Sequence, residues 1–211
     1  MLRYFYLQQQ LRMQEKLELQ ARLDSLRSRI RPHFLFNTLN SIASLIVSRP
    51  ASAEQAVEDL SELFRASLKE NRGETTVADE IRLCELYLGI EQLRLGERLQ
   101  VAWQVEAEVR AQPMPSLILQ PLVENAVYHG IARLSEGGTI LITLRSEGDR
   151  VCAMLENPVP AGASKPGGNH LALANVEQRL QATYGTAATL QTFPGSGKFR
   201  VELSYQPGRA L

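Results

Sequence analysis

From Leu7 to Ile30 the chain is rich in Gln, Leu, Glu and Arg and free of Gly and Pro, and Leu19, Leu23, Leu26 and Ile30 recur at alternating spacings of four and three. Such a seam predicts a long exposed helix that pairs with a coiled-coil partner. Tyr4, Leu7 and Leu11 keep similar spacings out of phase with it, which puts a phase slip between the two runs. Pro32 then ends or kinks this helix, or sits in the first turn of the next. In the following RPHFLFNTLNSI the apolar Phe34, Leu35, Leu39 and Ile42 can bury one side of a helix while Asn37 and Asn40 stay polar. That helix is expected from His33 to about Val47. A second is expected where Ser52 and Gln55 have the spacing of a capping box, with Val57, Leu60, Leu63, Phe64 and Leu68 at helical spacing and Gly73 as its stop. The two form a helical hairpin, and two hairpins from two chains would make a four-helix bundle that buries both apolar faces. A third helix is expected from about Asp79 to Leu95, ended by Gly96.

Beyond Gly96 the period changes. Leu99 to Val105 alternates as a strand does, Ser116 to Tyr128 reads as a helix, and Thr139 to Leu144 with Val151 to Leu155 reads as a hairpin around Glu147, Gly148 and Asp149. Pro158 to Asn169 is loose, with three Pro and three Gly, and has the composition of a mobile lid. Leu171 to Ala182 returns to helix, and strands close the chain near Thr189 to Phe193 and Phe199 to Tyr205. The fold class is α+β, in three parts: a coiled-coil helix over 1–30, a dimerising hairpin over 31–75, and a linker helix with a mixed-sheet domain over 76–211.

Composition narrows the partners. The 211 residues carry 23 basic and 23 acidic side chains, a formal net charge of zero. No field of one sign is available to hold nucleic acid or an anionic membrane surface. Cys84 and Cys152 have no paired spacing, which suits buried thiols in a reducing compartment and points to the cytoplasm. No apolar run is long enough to cross a bilayer, although Leu2 to Leu7 can be the stub of a membrane-bound portion.

Two stretches concentrate chemistry. His33 stands at the joint made by Pro32, and LQPLVENAVYHG, from Leu119 to Gly130, couples an apolar helix to Glu124, Asn125 and His129. A lone His beside an apolar helical face is more often packed or solvated than reactive, so the two stretches carry weight only together. With LALANVEQRLQATYG from Leu171 to Gly185, these segments resemble in order the sensor histidine kinases of the LytS type. Glu156-Asn157-Pro158 and Ala172-Leu173-Ala174-Asn175 look most like the AlgZ/FimS branch. The resemblance covers about Ile30 to the C-terminus.

The resemblance implies a dimerisation and phosphoacceptor hairpin followed by an ATP-binding α/β sandwich of the GHKL (Bergerat) type, with ATP and Mg2+ as cofactors. The phosphoacceptor maps onto His33. A neutral imidazole has a nucleophilic nitrogen near pH 7. Phe34 stands where other histidine kinases carry an acidic residue, so the proton acceptor is sought elsewhere, in Glu124. Asn37, one turn from His33, positions the ring or a water that hydrolyses the acceptor's phospho-aspartate, or is a surface amide. Asn125 matches the family's magnesium ligand, with His129 nearby, and Tyr128 stands where relatives often carry lysine.

The adenine-reading aspartate falls at Glu156, with Asn157 beside it. His170 and Ala172 stand where relatives have phosphate-approaching glycines, with Lys165, Gly167 and Gly168 nearby to supply charge and flexibility. Asn175 and Arg179 share one helix face. Arg179 meets phosphate or pairs with a surface carboxylate.

The function implied is ATP-dependent autophosphorylation on His33 and transfer to a response-regulator aspartate, the regulator being of the LytTR class. The protein is then a homodimer at the cytoplasmic side of the inner membrane, with a membrane portion upstream. Two rivals remain: a nucleotide-binding pseudokinase or phosphatase-biased scaffold, and an ATPase or chaperone in which Glu124 activates water.

Overall fold

The computed structural model describes residues 32–68, 74–160 and 169–208. The expected coiled-coil helix, the stop at Gly73 and most of the loose stretch, with Lys165, Gly167 and Gly168, lie outside them. The chain divides into two compact units, one up to Ala53 and one from Glu54 on. No helix among the described residues is long and apolar enough to cross a membrane.

Helix α1 spans Pro32–Ser48. Pro32 is its first residue, so of the places open to that proline the first turn is the one observed; the ring presets φ and its missing N–H would have been unbonded there anyway. Thr38, Ile42 and Leu45 are buried on one face, and Phe36, Leu39, Ile46 and Val47 are exposed on another. Helix α2, Pro50–Leu68, follows after the single residue Arg49. The expected capping box of Ser52 and Gln55 is not what starts it. Pro50 does so in the same way as Pro32, Ser52 lies inside the first turn, and Gln55 Nε2 donates instead to Asp59 Oδ1 at 2.9 Å.

Strand β1, Glu74–Thr76, leads into helix α3, Val77–Leu95. The true capping box is here: Thr76 Oγ1 accepts from the Asp79 N–H at 3.1 Å, and Asp79 Oδ2 accepts from the Thr76 N–H at 3.1 Å. Gly96 ends α3 at φ 57, a left-handed conformation that favours glycine. On α3 the buried set includes Val77, Ile81, Cys84, Tyr87, Leu88 and Leu95, and a carboxylate, Glu80, lies among them. Arg82 faces outward and forks onto Glu62 of α2 at 2.9 and 3.0 Å. An exposed pair of this kind stabilises little.

Strands β2 (Leu99–Val105), β4 (Gly138–Glu147), β5 (Arg150–Pro158), β7 (Lys198–Tyr205) and β6 (Thr189–Pro194) form one sheet in the order β2-β4-β5-β7-β6. Only the β2–β4 pairing is parallel; the rest are antiparallel. The expected hairpin is therefore present, with longer arms. Helices α4 (Leu119–His129) and α5 (Asn169–Tyr184) contribute to the layer on one face. Leu119, Leu122 and Val123 of α4 meet Ile142, Ala153, Leu155 and Val201 there. Tyr184 of α5 stacks on Tyr205 with ring centroids 4.8 Å apart, and Tyr205 Oη donates to the Pro113 carbonyl at 2.9 Å. The other face is polar, carrying Thr143, Arg145, Gln191, Glu202 and Ser204.

Strand β3, Pro113–Pro115, is a short element that the sequence pattern does not suggest. It pairs antiparallel with β1, placing Thr76 opposite Pro113 and Glu74 opposite Pro115. The Val77 and Ala78 N–H groups donate to the Gln112 and Arg110 carbonyls, each at 2.9 Å. The starts of α3 and α4 are thereby stitched together.

Replacing Thr76 by Ala should cost about 1 kcal/mol, the usual worth of an N-cap, seen as a fall of about 2–4 °C in thermal midpoint. Burial pushes the Cys84 thiol well up and the half-buried Cys152 up less. A thiol reagent at neutral pH should therefore modify Cys152 slowly in the native protein and reach Cys84 only on unfolding, which timed mass spectrometry would record.

Candidate functional site

The site is built on α4, which begins at Leu119 rather than at Ser116 as the sequence pattern suggested. Residues before it turn sharply: Leu117 has φ 59, the one non-glycine residue with positive φ among the described residues. Ile118 stands at the N-cap and has no side chain able to cap. Pro121 in the first turn has no N–H. The free donors are met from another helix. Glu80 Oε1 accepts from the Leu117 N–H at 2.7 Å, and Glu80 Oε2 accepts from Ile118 at 2.8 Å and Leu119 at 2.9 Å. Glu80 is 0% exposed. Its burial raises the carboxyl above the ordinary value, against the pull of the three amides and of Arg179.

Arg179 of α5 donates from Nη1 to the Ser116 carbonyl at 2.9 Å. That bond uses one of the five guanidinium N–H donors, on a partner that neither expected role names. Asn175, one turn earlier, is exposed. His170 falls in the first turn of α5 and Gly168 lies outside the described residues.

Glu124 and Asn125 lie midway along α4. Gln120 Nε2 donates to Glu124 Oε1 at 3.0 Å, orienting a half-buried carboxylate. Asn125 is 3% exposed, and its Oδ1 has no hydrogen-bond partner. An orphaned buried acceptor costs about 1–3 kcal/mol, so its retention is a cost that a bound cation would remove. Amide oxygen is a suitable ligand for Mg2+, which takes one or two protein oxygens and completes its octahedron with phosphate oxygens and water. No cluster of three or more His, Cys, Asp or Glu able to hold a metal occurs among the described residues. The donor set therefore fits a cation that arrives with a phosphorylated ligand. His129, half-buried at the end of α4, meets the Tyr128 ring edge-on at 4.8 Å between centroids.

The pleat of β5 separates Glu156 from Asn157. Glu156 points to the polar face of the sheet, where Lys198 pairs with it at 2.8 Å. This placement corrects the expectation that Glu156 reads adenine: successive strand residues face opposite ways, and Glu156 faces away from α4. Asn157 faces the helices, is 2% exposed, donates from Nδ2 to the Pro158 carbonyl at 2.9 Å, and keeps an unpartnered Oδ1. It lies against Gly130, the residue that ends α4. A Cβ on Gly130 would meet Asn157 Nδ2 and come within 2.5 Å of the Ala126 and Pro158 carbonyl oxygens. Close approach, not backbone conformation, requires glycine there.

On α1, His33 is the second residue and Asn37, exposed, stands one turn further. Sequence reasoning missed Glu80. The signal for it was present, since Glu80 falls at helical spacing with the apolar Val77, Cys84 and Tyr87.

The family model described as "Histidine kinase" matches residues 21–99. The sensor histidine kinase BtsS of Escherichia coli is 39% identical over 168 residues, 79% of this chain and 30% of the relative. The sensor protein LytS of Staphylococcus haemolyticus is 28% identical over 194 residues, 86% of this chain and 33% of that protein. The chain thus spans about a third of the length of the relatives it matches. Their names support the LytS type and give no specific support to the AlgZ/FimS branch. In fold, the chain resembles the Acinetobacter baumannii histidine kinase AdeS, with a TM-score of 0.51 at 15% identity over 90% of this chain and 98% of the other. It also resembles the catalytic domain of the histidine kinase ThkA, with a TM-score of 0.50 at 14% identity over 65% and 97%.

Two substitutions test the geometry without any ligand. Gly130→Ala should destabilise by about 1–3 kcal/mol, the usual cost of overpacking, as a lower urea midpoint. Asn125→Ala removes an acceptor that has no partner, so the melting temperature should not fall and should rise by about 2 °C or more as that cost is relieved.

Proposed function

Because the chain belongs to the sensor histidine kinases of LytS type, we propose that it uses ATP and Mg2+ to phosphorylate His33 and passes the group to a response-regulator aspartate. The observation that carries the reading is the buried, unpartnered Oδ1 of Asn125, one residue from the oriented carboxylate of Glu124 on the same short helix. An acceptor of this kind suits a magnesium ion that would be held together with a phosphorylated ligand.

The residues then divide the work as follows. A His33 ring nitrogen attacks the γ-phosphorus; the bond from that phosphorus to the β–γ bridging oxygen breaks, its electron pair stays with ADP, and the ring proton passes to Glu124. When bound, Mg2+ neutralises charge on the phosphates, and Asn125 is its ligand from the chain. Asn157, not Glu156, supplies the polar group facing the base, because only Asn157 reaches the helix-covered side of β5. His129 and the segment with Gly168, His170 and Asn175 complete the nucleotide surroundings. Asn37 orients the ring or a hydrolytic water. The molecule works as a homodimer at the cytoplasmic side of the inner membrane, with a membrane portion upstream and a regulator of the LytTR class. In this reading 1–30 carries the signal, 31–75 serves dimerisation and transfer, and 76–211 holds the nucleotide.

Incubation with Mg2+ and γ-labelled ATP should put acid-labile label on the chain. His33→Ala and Asn125→Ala should abolish it, and Glu124→Gln should slow labelling about 100-fold or more, the usual contribution of a general base. A folded, dimeric parent that binds ATP and takes no label would overturn the kinase reading in favour of a pseudokinase or phosphatase scaffold.

A further inference from the structure

The nucleotide reading gives Asn125 and Glu124 their work but leaves open what fixes the helix that carries them. Helix α4 has 11 residues. Its own sequence does not cap it, since Ile118 offers no acceptor and Pro121 no donor. Glu80 supplies the missing acceptor from 37 to 39 residues upstream, with both oxygens engaged. Arg179 holds the Ser116 carbonyl from the other side. The β1–β3 pair brings the two helix starts together. A helix whose first turn is held by one buried carboxylate takes its rotation and height from that group.

We propose that Glu80 is a positioning residue for phosphoryl transfer: from α3 it replaces the N-cap of α4 and so sets where Asn125 presents its oxygen to Mg2+. The proposal rests on the nucleotide reading above. Glu80 touches neither nucleotide nor metal and acts through α4 alone. Glu80→Gln keeps the shape and puts an NH2 group against amide donors, so at least one of the three N–H groups is left without an acceptor. The effect falls on the magnesium-dependent part of binding, because Asn125 is displaced while the base-facing Asn157 on β5 stays. Simple loss of folded protein would instead lower the bound fraction without changing the metal requirement.

The test measures binding of trinitrophenyl-ATP by the parent, Glu80→Gln and Arg179→Ala, in EDTA and over a Mg2+ series, together with amide hydrogen exchange at residues 117–119. For Glu80→Gln the Mg2+ concentration at half effect should rise about tenfold, as expected for losing hydrogen bonds to a charged group, with faster exchange at 117–119 and unchanged affinity in EDTA. An unchanged Mg2+ requirement, or equal losses with and without Mg2+, would overturn the proposal and leave Glu80 a structural group. If Glu80→Gln does not fold, Arg179→Ala decides, since its side chain is exposed. A rise of about threefold in Mg2+ requirement with EDTA affinity intact supports the proposal; no rise, or equal losses in both conditions, overturns it. A parent that binds no nucleotide in either condition refutes the nucleotide reading itself, a result distinct from any of these.

Discussion

A single carboxylate buried without a cationic hydrogen-bond partner is the constraint around which the second unit is arranged. Glu80 is taken wholly out of water, at a desolvation cost that only good geometry can offset. The geometry comes from three successive amides at the start of α4, which themselves need an acceptor. Neither party is stable alone in an apolar layer. Together they fix the position of one helix against another more narrowly than apolar contact does, because hydrogen bonds are directional and dispersion is not.

The site inherits that fixity and uses it for the opposite purpose. At the start of α4 the N–H groups of Leu117, Ile118 and Leu119 are met, while the buried oxygens of Gln120 and Asn125 on α4, and of Asn157 on β5 beside its end, have no partner. A polar group held unsatisfied in this way is ready for a ligand, at a cost to the fold that the well-satisfied parts of the same helix offset.

Much of this was legible in the sequence. Gly96 after the third apolar helix and the hairpin around Gly148 are local signals that read correctly. The misses have physical reasons. Pro50 outranked Ser52 as a helix starter because a preset φ acts at the first position, where the chain enters the helix. Prolines at 113 and 115 argued against a strand, yet a three-residue pair tolerates them where a longer ladder would not. Glu80 shares the apolar face of Val77, Cys84 and Tyr87, which marks it as buried but not what it binds; its role depends on a segment far along the chain. Glu156 and Asn157 are adjacent in sequence, and only the pleat of β5 tells which faces α4. The aligned carboxylate was the tempting choice, and strand parity selected the neighbour.

The distance along the chain between Glu80 and the amides it holds has a consequence for how the protein folds. Bringing such a segment home closes a loop of nearly forty residues, with an entropic cost that grows with the logarithm of loop length. Strand β2 lies within that loop, and its parallel partner β4 comes after it. Local helices and the β4–β5 hairpin have no such wait. The cradle at residues 117–119 is thus among the late events of folding, and a newly collapsed chain is compact before helix α4 has found its height.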